Sequence, residues 1–486
     1  MSTRSSPQPG DQVSNWGYTF TWTEKHPSKQ EIEPLRHQYD TLGASALERL
    51  HAIRGVAVEE SKAKGTPMPS SDLYTLLRDN YANDEVLSRF WEDTHTVPDW
   101  VDWEQLARGQ KFFYRYLIPN LVGFAVQGFI AENSAVPGVI EVLVRTGGFS
   151  TRTLLGRILE TFQWLIQITH DLPAIQPGGS GHAATMRVRL LHSSVRQRIL
   201  HLANNRPSYF NTAKYGIPIN TLDSIHSITA FACNPMWLQL PKFGVHPSSS
   251  DIEDYIAFFR YVSHVIGSPT EYFVDADTAK KTMESMLVHE LRTTETSRVI
   301  AFNFLECVGN LPSPFYASMG FIRAASRWVN GREMCEELDV RGAGVFSYVV
   351  FMGYCCLVMG MAWLQRLIPG LDEWTIGFTR KHLYEGIVNR RSRSLFDFKY
   401  IPQVGKSTGR ERFTKDGTEK GDSALLYAPV LSTVANIVDI GAFEMACLTA
   451  GLFVATMMVL AILFMGKTAP AVYTAYFAPH SVAGFA

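Results

Sequence analysis

Cysteine is sparse in this chain. There are six in 486 residues: Cys233, Cys307, Cys335, Cys355, Cys356 and Cys447, with no CxxC pair among them. A zinc site or a disulfide framework is therefore not expected, and the thiols read as buried and reduced, as in a cytosol-facing protein. An excess of charge is lacking too. Lys and Arg number 45 against 46 Asp and Glu, which removes any global argument for nucleic acid as a partner. The first twenty residues, MSTRSSPQPGDQVSNWGYTF, have no apolar run of the kind a secretory signal needs. They read as a disordered lead over residues 1–20. No GxSxG, HExxH, Walker loop or strand-borne GxGxxG occurs, so the usual hydrolase, zincin, P-loop and Rossmann readings lose their support. There is no internal repeat, and alternating Val-rich runs between turn dipeptides are scarce.

What is present is helical spacing. Leu154, Leu155, Ile158, Leu159 and Phe162 form one apolar stripe, continued by Leu165, Ile166 and Ile168. Ile252, Tyr255, Ile256, Phe259 and Val262 form a second, and Met286, Leu287, Leu291 and the run Val299 to Leu305 belong to a third. The pattern predicts an all-α protein. Asp171, Pro173 and PGGSGH stop the helix that carries the first stripe. Ser250 and Asp251 can cap a helix beginning near Ile252, and Thr221 with Asp223 can start another after the loop NTAKYGIPIN.

The 46% hydrophobic content is ordinary, but it is not evenly spread. Ala446 to Met465 is 20 residues without a charge, bounded by Glu444 and Lys467. At 1.5 Å per residue it covers about 30 Å, the thickness of a bilayer's hydrocarbon. A transmembrane helix is expected over 446–465, with a short tail over 466–486. Val345 to Leu364 is also uncharged and is either a second span or core. Arg380 to Lys420 holds eleven Lys and Arg against five Asp and Glu, so a basic juxtamembrane segment over 376–443 could touch anionic lipid headgroups or stand as a solvated loop. Lys467 alone weakly favours a cytosolic tail, but a body without an export signal favours the opposite: body in the cytosol, tail in the lumen.

The residues able to carry chemistry sit on helices. In MRVRLLHSSVRQRILH, Arg189, His192 and Arg196 lie at i, i+3 and i+7 and share a face. Guanidiniums beside an imidazole disfavour its protonated form, and a neutral imidazole can bind a metal. Upstream, Arg157, Glu160, Thr161 and Trp164 share a face at i, i+3, i+4 and i+7, an unusual polar set inside an apolar stretch. Glu141 lies in the apolar helix VIEVLV. It is either a carboxylate of raised pKa that acts as acid and base, or the partner of Arg145 at i+4.

Four blocks resemble the haem-dependent rubber oxygenase family, which includes the bacterial latex clearing proteins and a fungal endoplasmic-reticulum-bound oxygenase of mycophenolic acid biosynthesis. They are GRILETFQWL (156–165), RLLHSSVRQRI (189–199), GIPIN (216–220) and EDYIAFFRYVSHVIGSP (253–269), in order across about 120–273. The resemblance implies an all-α, partly globin-like core around haem b over 21–375. It implies His192 as the iron ligand; from their place on the same helix, Arg189 and Arg196 are expected to meet haem propionates. It further implies Arg157 and Thr161 near the haem, and Glu141 at the position of a carboxylate proposed as base. Where latex clearing proteins can carry a Lys just before that Thr as a distal ligand, this chain has Glu160.

The implied chemistry is insertion of O2 across a carbon–carbon double bond of an isoprenoid chain, in secondary metabolism. The implied partners are a lipophilic small molecule, O2 and membrane lipid. The implied location is the endoplasmic reticulum membrane, with the body facing the cytosol. A hydroxylating oxygenase on the same scaffold is the second reading. A non-catalytic helical membrane protein that binds a lipid or a partner is the third.

Overall fold

The computed structural model describes residues 6–146, 149, 154–309, 316–388, 441–454 and 456–457. Helices make up nearly all of its regular structure, as the spacing predicts. The exception lies in the expected disordered lead. Gln12–Asn15 and Tyr18–Thr21 pair as an antiparallel hairpin. Its two-residue turn, Trp16-Gly17, takes positive φ at both positions (47° and 74°), the twist that matches a hairpin. Two strands alone are marginal in water. This pair is held by the body: Tyr18 donates to Glu284 Oε1 at 2.8 Å, Lys242 donates to the Gly17 carbonyl at 2.7 Å, and Asn15 donates to the Leu287 carbonyl.

Caps place the helix starts slightly upstream of the residues expected. The helix Ser249–Ile266 is capped by Ser248 with Asp251 three residues on, a capping box, and ends at Gly267 with φ of 78°. The helix Thr221–Ala232 is capped by Asn220, again with Asp223 closing the box. Ser250 and Asp251, expected as caps, are thus the second and third helical positions, Asp251 closing the box; Thr221 and Asp223 begin their helix as expected, with Asn220 ahead of them as the cap. The loop NTAKYGIPIN contains one helical turn, Thr212–Tyr215.

The body is assembled around two close helix contacts. Trp103–Arg115 and Ser249–Ile266 pack most extensively. They meet at Gly109, where a Cβ would stand 2.8 Å from that of Phe258. Leu154–Thr169 ends where expected, and Ser180–Asn205 folds back against it. Gly181 permits the approach, since its Cβ would lie 2.8 Å from the Ile168 Cα. The Trp164 indole then donates to Thr185 at 3.1 Å and fixes the register of the two helices.

Val345–Leu367 is the one helix among the described residues long and apolar enough to cross a membrane. It is partly core: Val350, Phe351, Tyr354 and Val358 are buried, while Val349, Met352, Trp363, Leu364 and Leu367 are exposed. The next helix, Leu371–Leu383, runs through the boundary expected at residue 376. Arg115 binds Asp372 and Lys111 binds Glu373, both at 2.8 Å, so this helix belongs to the body. Most of the expected basic segment lies outside the described residues. Of the expected span 446–465, the described part is helical. Its residues Cys447 and Gly451 cross Val345–Leu367 at Gly353, where a Cβ on Gly451 would come 2.8 Å from the Gly353 Cα. Glu444, just ahead, is buried and accepts from Ser318 Oγ at 2.5 Å.

Candidate functional site

Seven helical segments, five of them with several side chains each, converge on a cavity of about 350 Å³, a volume typical of small-molecule sites. Leu154–Thr169 contributes Arg157, Ile158, Glu160, Thr161 and Trp164, and Ser180–Asn205 contributes Val188, Leu191, His192 and Val195. Phe124–Glu132 is a nine-residue π-helix, a widened coil that is rare and often marks a functional site. It supplies Phe124, Gly128 and Phe129. Pro137–Arg145 supplies Val139, Val142 and Leu143. Thr221–Ala232 supplies Asp223, Ser224, Ser227, Ile228, Ala230 and Phe231. Apolar side chains dominate the wall.

His192 is brought to this cavity with Arg157, Glu160, Thr161 and Trp164; the last four share a face as their spacing predicts, and the meeting of Arg157 and Thr161 with His192 is what the family resemblance implies. Burial, joined by the Arg196 charge, pushes the imidazole down to about 4 against the pull of Asp40. At neutral pH the ring is therefore uncharged and has a nitrogen lone pair to offer. No hydrogen bond to another described residue uses either ring nitrogen. The donor set thus fits a haem iron: a neutral imidazole, no competing protein partner, and an apolar chamber in front of it. Arg157 Nη1 binds Glu160 Oε2 at 3.1 Å, and Thr161 Oγ1 donates to the Arg157 carbonyl at 3.2 Å.

Three expected site residues stand elsewhere. Glu141 does not line the cavity; it is buried and ion-paired with Arg145, whose guanidinium also donates to the Glu141 and Tyr209 carbonyls. Of the two readings open from the sequence, the i+4 pair is the one realised in this geometry. Arg189 is buried behind His192, held by Asp40 (2.8 and 2.9 Å) and Asp93 (2.8 Å) over the Phe90 ring. Arg196 donates to the Pro218 and Ile219 carbonyls at 3.2 and 2.9 Å, over Tyr39. Both guanidiniums are thus engaged away from the cavity they were expected to face.

The same contacts explain the GIPIN block. Gly216 has φ of 78° and lies against Arg36, where a Cβ would be 2.9 Å from the Arg36 Cβ. Ile219, at φ of 53°, turns its carbonyl to Arg196, and Asn220 caps the next helix.

Sequence reasoning took Asp223 only as a helix start. In the structure it is a buried carboxylate in the cavity wall. Behind it His226 pairs with Glu132 at 3.1 Å, and Gln127, Asn234 and Gln239 complete a buried polar network. Burial alone would lower the His226 pKa; the adjacent Glu132 reverses that and raises it. No periodicity points to such a network, because its members come from three separate segments.

The family model described as "ER-bound oxygenase mpaB/B'/Rubber oxygenase, catalytic domain" matches residues 114–358, half of the chain. The chain belongs to this family. It is accordingly an oxygenase, an oxidoreductase with an all-helical fold. The rubber oxygenase of Streptomyces sp. (strain K30) is 25% identical over 294 residues, covering 58% of this chain and 67% of that protein. The structure of latex clearing protein LCP in the closed state aligns with a TM-score of 0.54 and 20% identity, over 75% of this chain and 95% of that one. The family match spans every segment that lines the cavity.

Proposed function

We propose that this member of the family is a haem-b oxygenase that uses O2 to cleave or oxidise a double bond of an isoprenoid or similarly lipophilic substrate. The observation that carries the reading is His192, a neutral imidazole without a hydrogen-bond partner among the described residues, facing an apolar cavity. His192 would hold the iron. Bound haem would supply O2 activation, which no side chain here provides. Arg157, Glu160 and Thr161 form the polar patch of the wall and orient what lies in the chamber. Phe124, Phe129, Ile228, Phe231 and Phe304 exclude water and favour a greasy chain. Arg189 and Arg196 position the His192 helix. The Arg157-held carboxylate of Glu160 stands where latex clearing proteins can carry a Lys, so distal closure by a Lys is not available here.

The reading includes a membrane. The exposed apolar side of Val345–Leu367, together with Leu452, Phe453 and Met457, supports contact with lipid, where such a substrate is concentrated. We assign the endoplasmic reticulum membrane, in keeping with the family description, with the body in the cytosol and the role in secondary metabolism. The test is an absorption spectrum of the purified full chain. A Soret band is expected, lost or displaced in His192→Ala while helicity by circular dichroism is kept. A haem-free wild type, or an unchanged haem spectrum in His192→Ala, overturns the assignment. Product analysis with a prenylated phenol separates double-bond cleavage, which gives two carbonyl products, from hydroxylation.

A further inference from the structure

With Glu141 held by Arg145 outside the chamber, the acid–base group of the cavity is still to be found. The wall offers two carboxylates, Glu160 and Asp223. Glu160 is bound to Arg157. Asp223 is different. Its Oδ2 accepts from the Asn220 side chain at 2.9 Å and from the Asn220 backbone at 3.4 Å, completing the helix cap. None of the described hydrogen bonds uses Oδ1. One oxygen is thus pinned by the fold; the other, on the Gly138 side of a residue that lines the chamber, has no such partner and can take a proton.

We propose that Asp223 is the proton-transfer residue of the cavity and that Glu290 and Arg36 connect it to the protein surface. This rests on the reading of the cavity as the reaction site. In the step, a C–H or O–H bond of the bound substrate breaks, an O–H bond forms at Asp223 Oδ1, and the electron pair stays on the substrate. The proton then returns to a product oxygen, so the carboxylate is regenerated with no net proton consumed.

The surroundings favour this role. Arg36 comes from the short helical turn Glu33–His37 and binds Glu290 in a bidentate pair at 2.6 and 2.7 Å. Its Nε lies 3.2 Å from Glu33, which is half exposed, and the charges of both Arg36 and Glu290 act on Asp223. The other charges about Asp223 are His226 on its own helix, Arg196 on the His192 helix and, behind His226, Glu132. Burial pushes the Asp223 carboxyl up, and the neighbouring Glu290 carboxylate adds to it. Arg36, the Asn220 backbone and His226 oppose them, leaving it at about 7. A carboxyl that titrates there can both give and take a proton at working pH.

The test uses infrared difference spectra of the detergent-solubilised full chain, titrated through neutrality, with oxygen uptake on a prenylated phenol. The expected result is a protonated-carboxyl band that disappears as pH rises through about 7 and is absent in Asp223→Asn, which keeps an acceptor for the cap. Glu290→Gln removes the like charge, so the band should titrate at lower pH. Haem content should be retained in Asp223→Asn while turnover falls on the order of 100-fold, the usual size of an acid–base contribution. No such band in the wild type, or wild-type turnover in Asp223→Asn, overturns the proposal. If Asp223→Asn does not fold, an unmoved band in Glu290→Gln overturns it as well. The band is read with or without haem, so a haem-free protein sinks the proposed function and leaves the Asp223 assignment to the infrared result.

Discussion

Arg189 and Asp40 are joined by two parallel hydrogen bonds, and Asp40 is at the same time the cap of the helix Thr41–Lys64, accepting from the Gly43 backbone at 3.0 Å. One ion pair thus fixes the helix that carries His192 to the helix that packs against it. Gly267 closes the other side: a Cβ there would stand 2.7 Å from the Arg189 Cζ.

The first expectation concerns that pair. Arg189→Met leaves Asp40 buried without its partner, at a cost of about 3–5 kcal/mol. Denaturant unfolding should show the loss. The haem band should weaken with stability while its wavelength stays the same. A variant of wild-type stability with a displaced band would instead make Arg189 a haem contact.

Glu141→Gln addresses the second carboxylate. Its pair with Arg145 is buried, so the variant should lower stability by about 3 kcal/mol. Haem content and turnover should stay within a few-fold of wild type. A hundredfold fall in kcat at unchanged stability would return Glu141 to the catalytic role that the family resemblance implies.

Acid should destabilise the protein well above the range where carboxylates titrate. Burial pushes His182 down to about 4, with the His95 and His264 charges adding and the hydrogen bond to the Thr94 carbonyl opposing. The unfolded chain takes up this proton near pH 6.5 and the folded chain only near 4. As pH falls between those values the unfolded state binds more protons, so stability falls, by on the order of 3 kcal/mol for this residue. Melting temperatures in His182→Gln, which can still donate to Thr94, should depend less steeply on pH across that window. An identical slope in both proteins would exclude His182 as the source.

Membrane attachment is tested by a chain that stops after Val454. It keeps Glu444, Cys447 and Gly451, which are packed into the body, and loses the rest of the apolar run. Carbonate-washed membranes should retain the full chain and release the shortened one, with unchanged helicity. Retention of both would move the anchor to the exposed side of Val345–Leu367.

Much of the fold was legible because helical spacing records burial directly: the stop after Thr169 and the helix starts near Asp223 and Asp251 follow from local chemistry. The face of Leu154–Thr169 was legible for the same reason, and with it the grouping of Arg157, Glu160, Thr161 and Trp164; that His192 joins Arg157 and Thr161 came from the family resemblance. The hairpin at Gln12–Thr21 was not, since its stability comes from Glu284, Lys242 and Leu287, all more than 200 positions away. The destinations of Arg189 and Arg196 were hidden for a related reason. A shared helical face says which residues point together, but the partner's carboxylate or carbonyl decides what they meet. Asp223 was hidden behind its capping role, which is visible locally, while its place in the wall depends on six other segments.

The crossing of Gly353 with Gly451, and the bond from Ser318 to Glu444, leave no slack between the catalytic body and the start of the C-terminal apolar run. A tethered enzyme on a loose stalk samples all orientations above its membrane. Under the proposed membrane reading, the angle of that helix against the body would set the angle of the body itself, and a bilayer taking up the helix would also decide which way the His192 chamber faces.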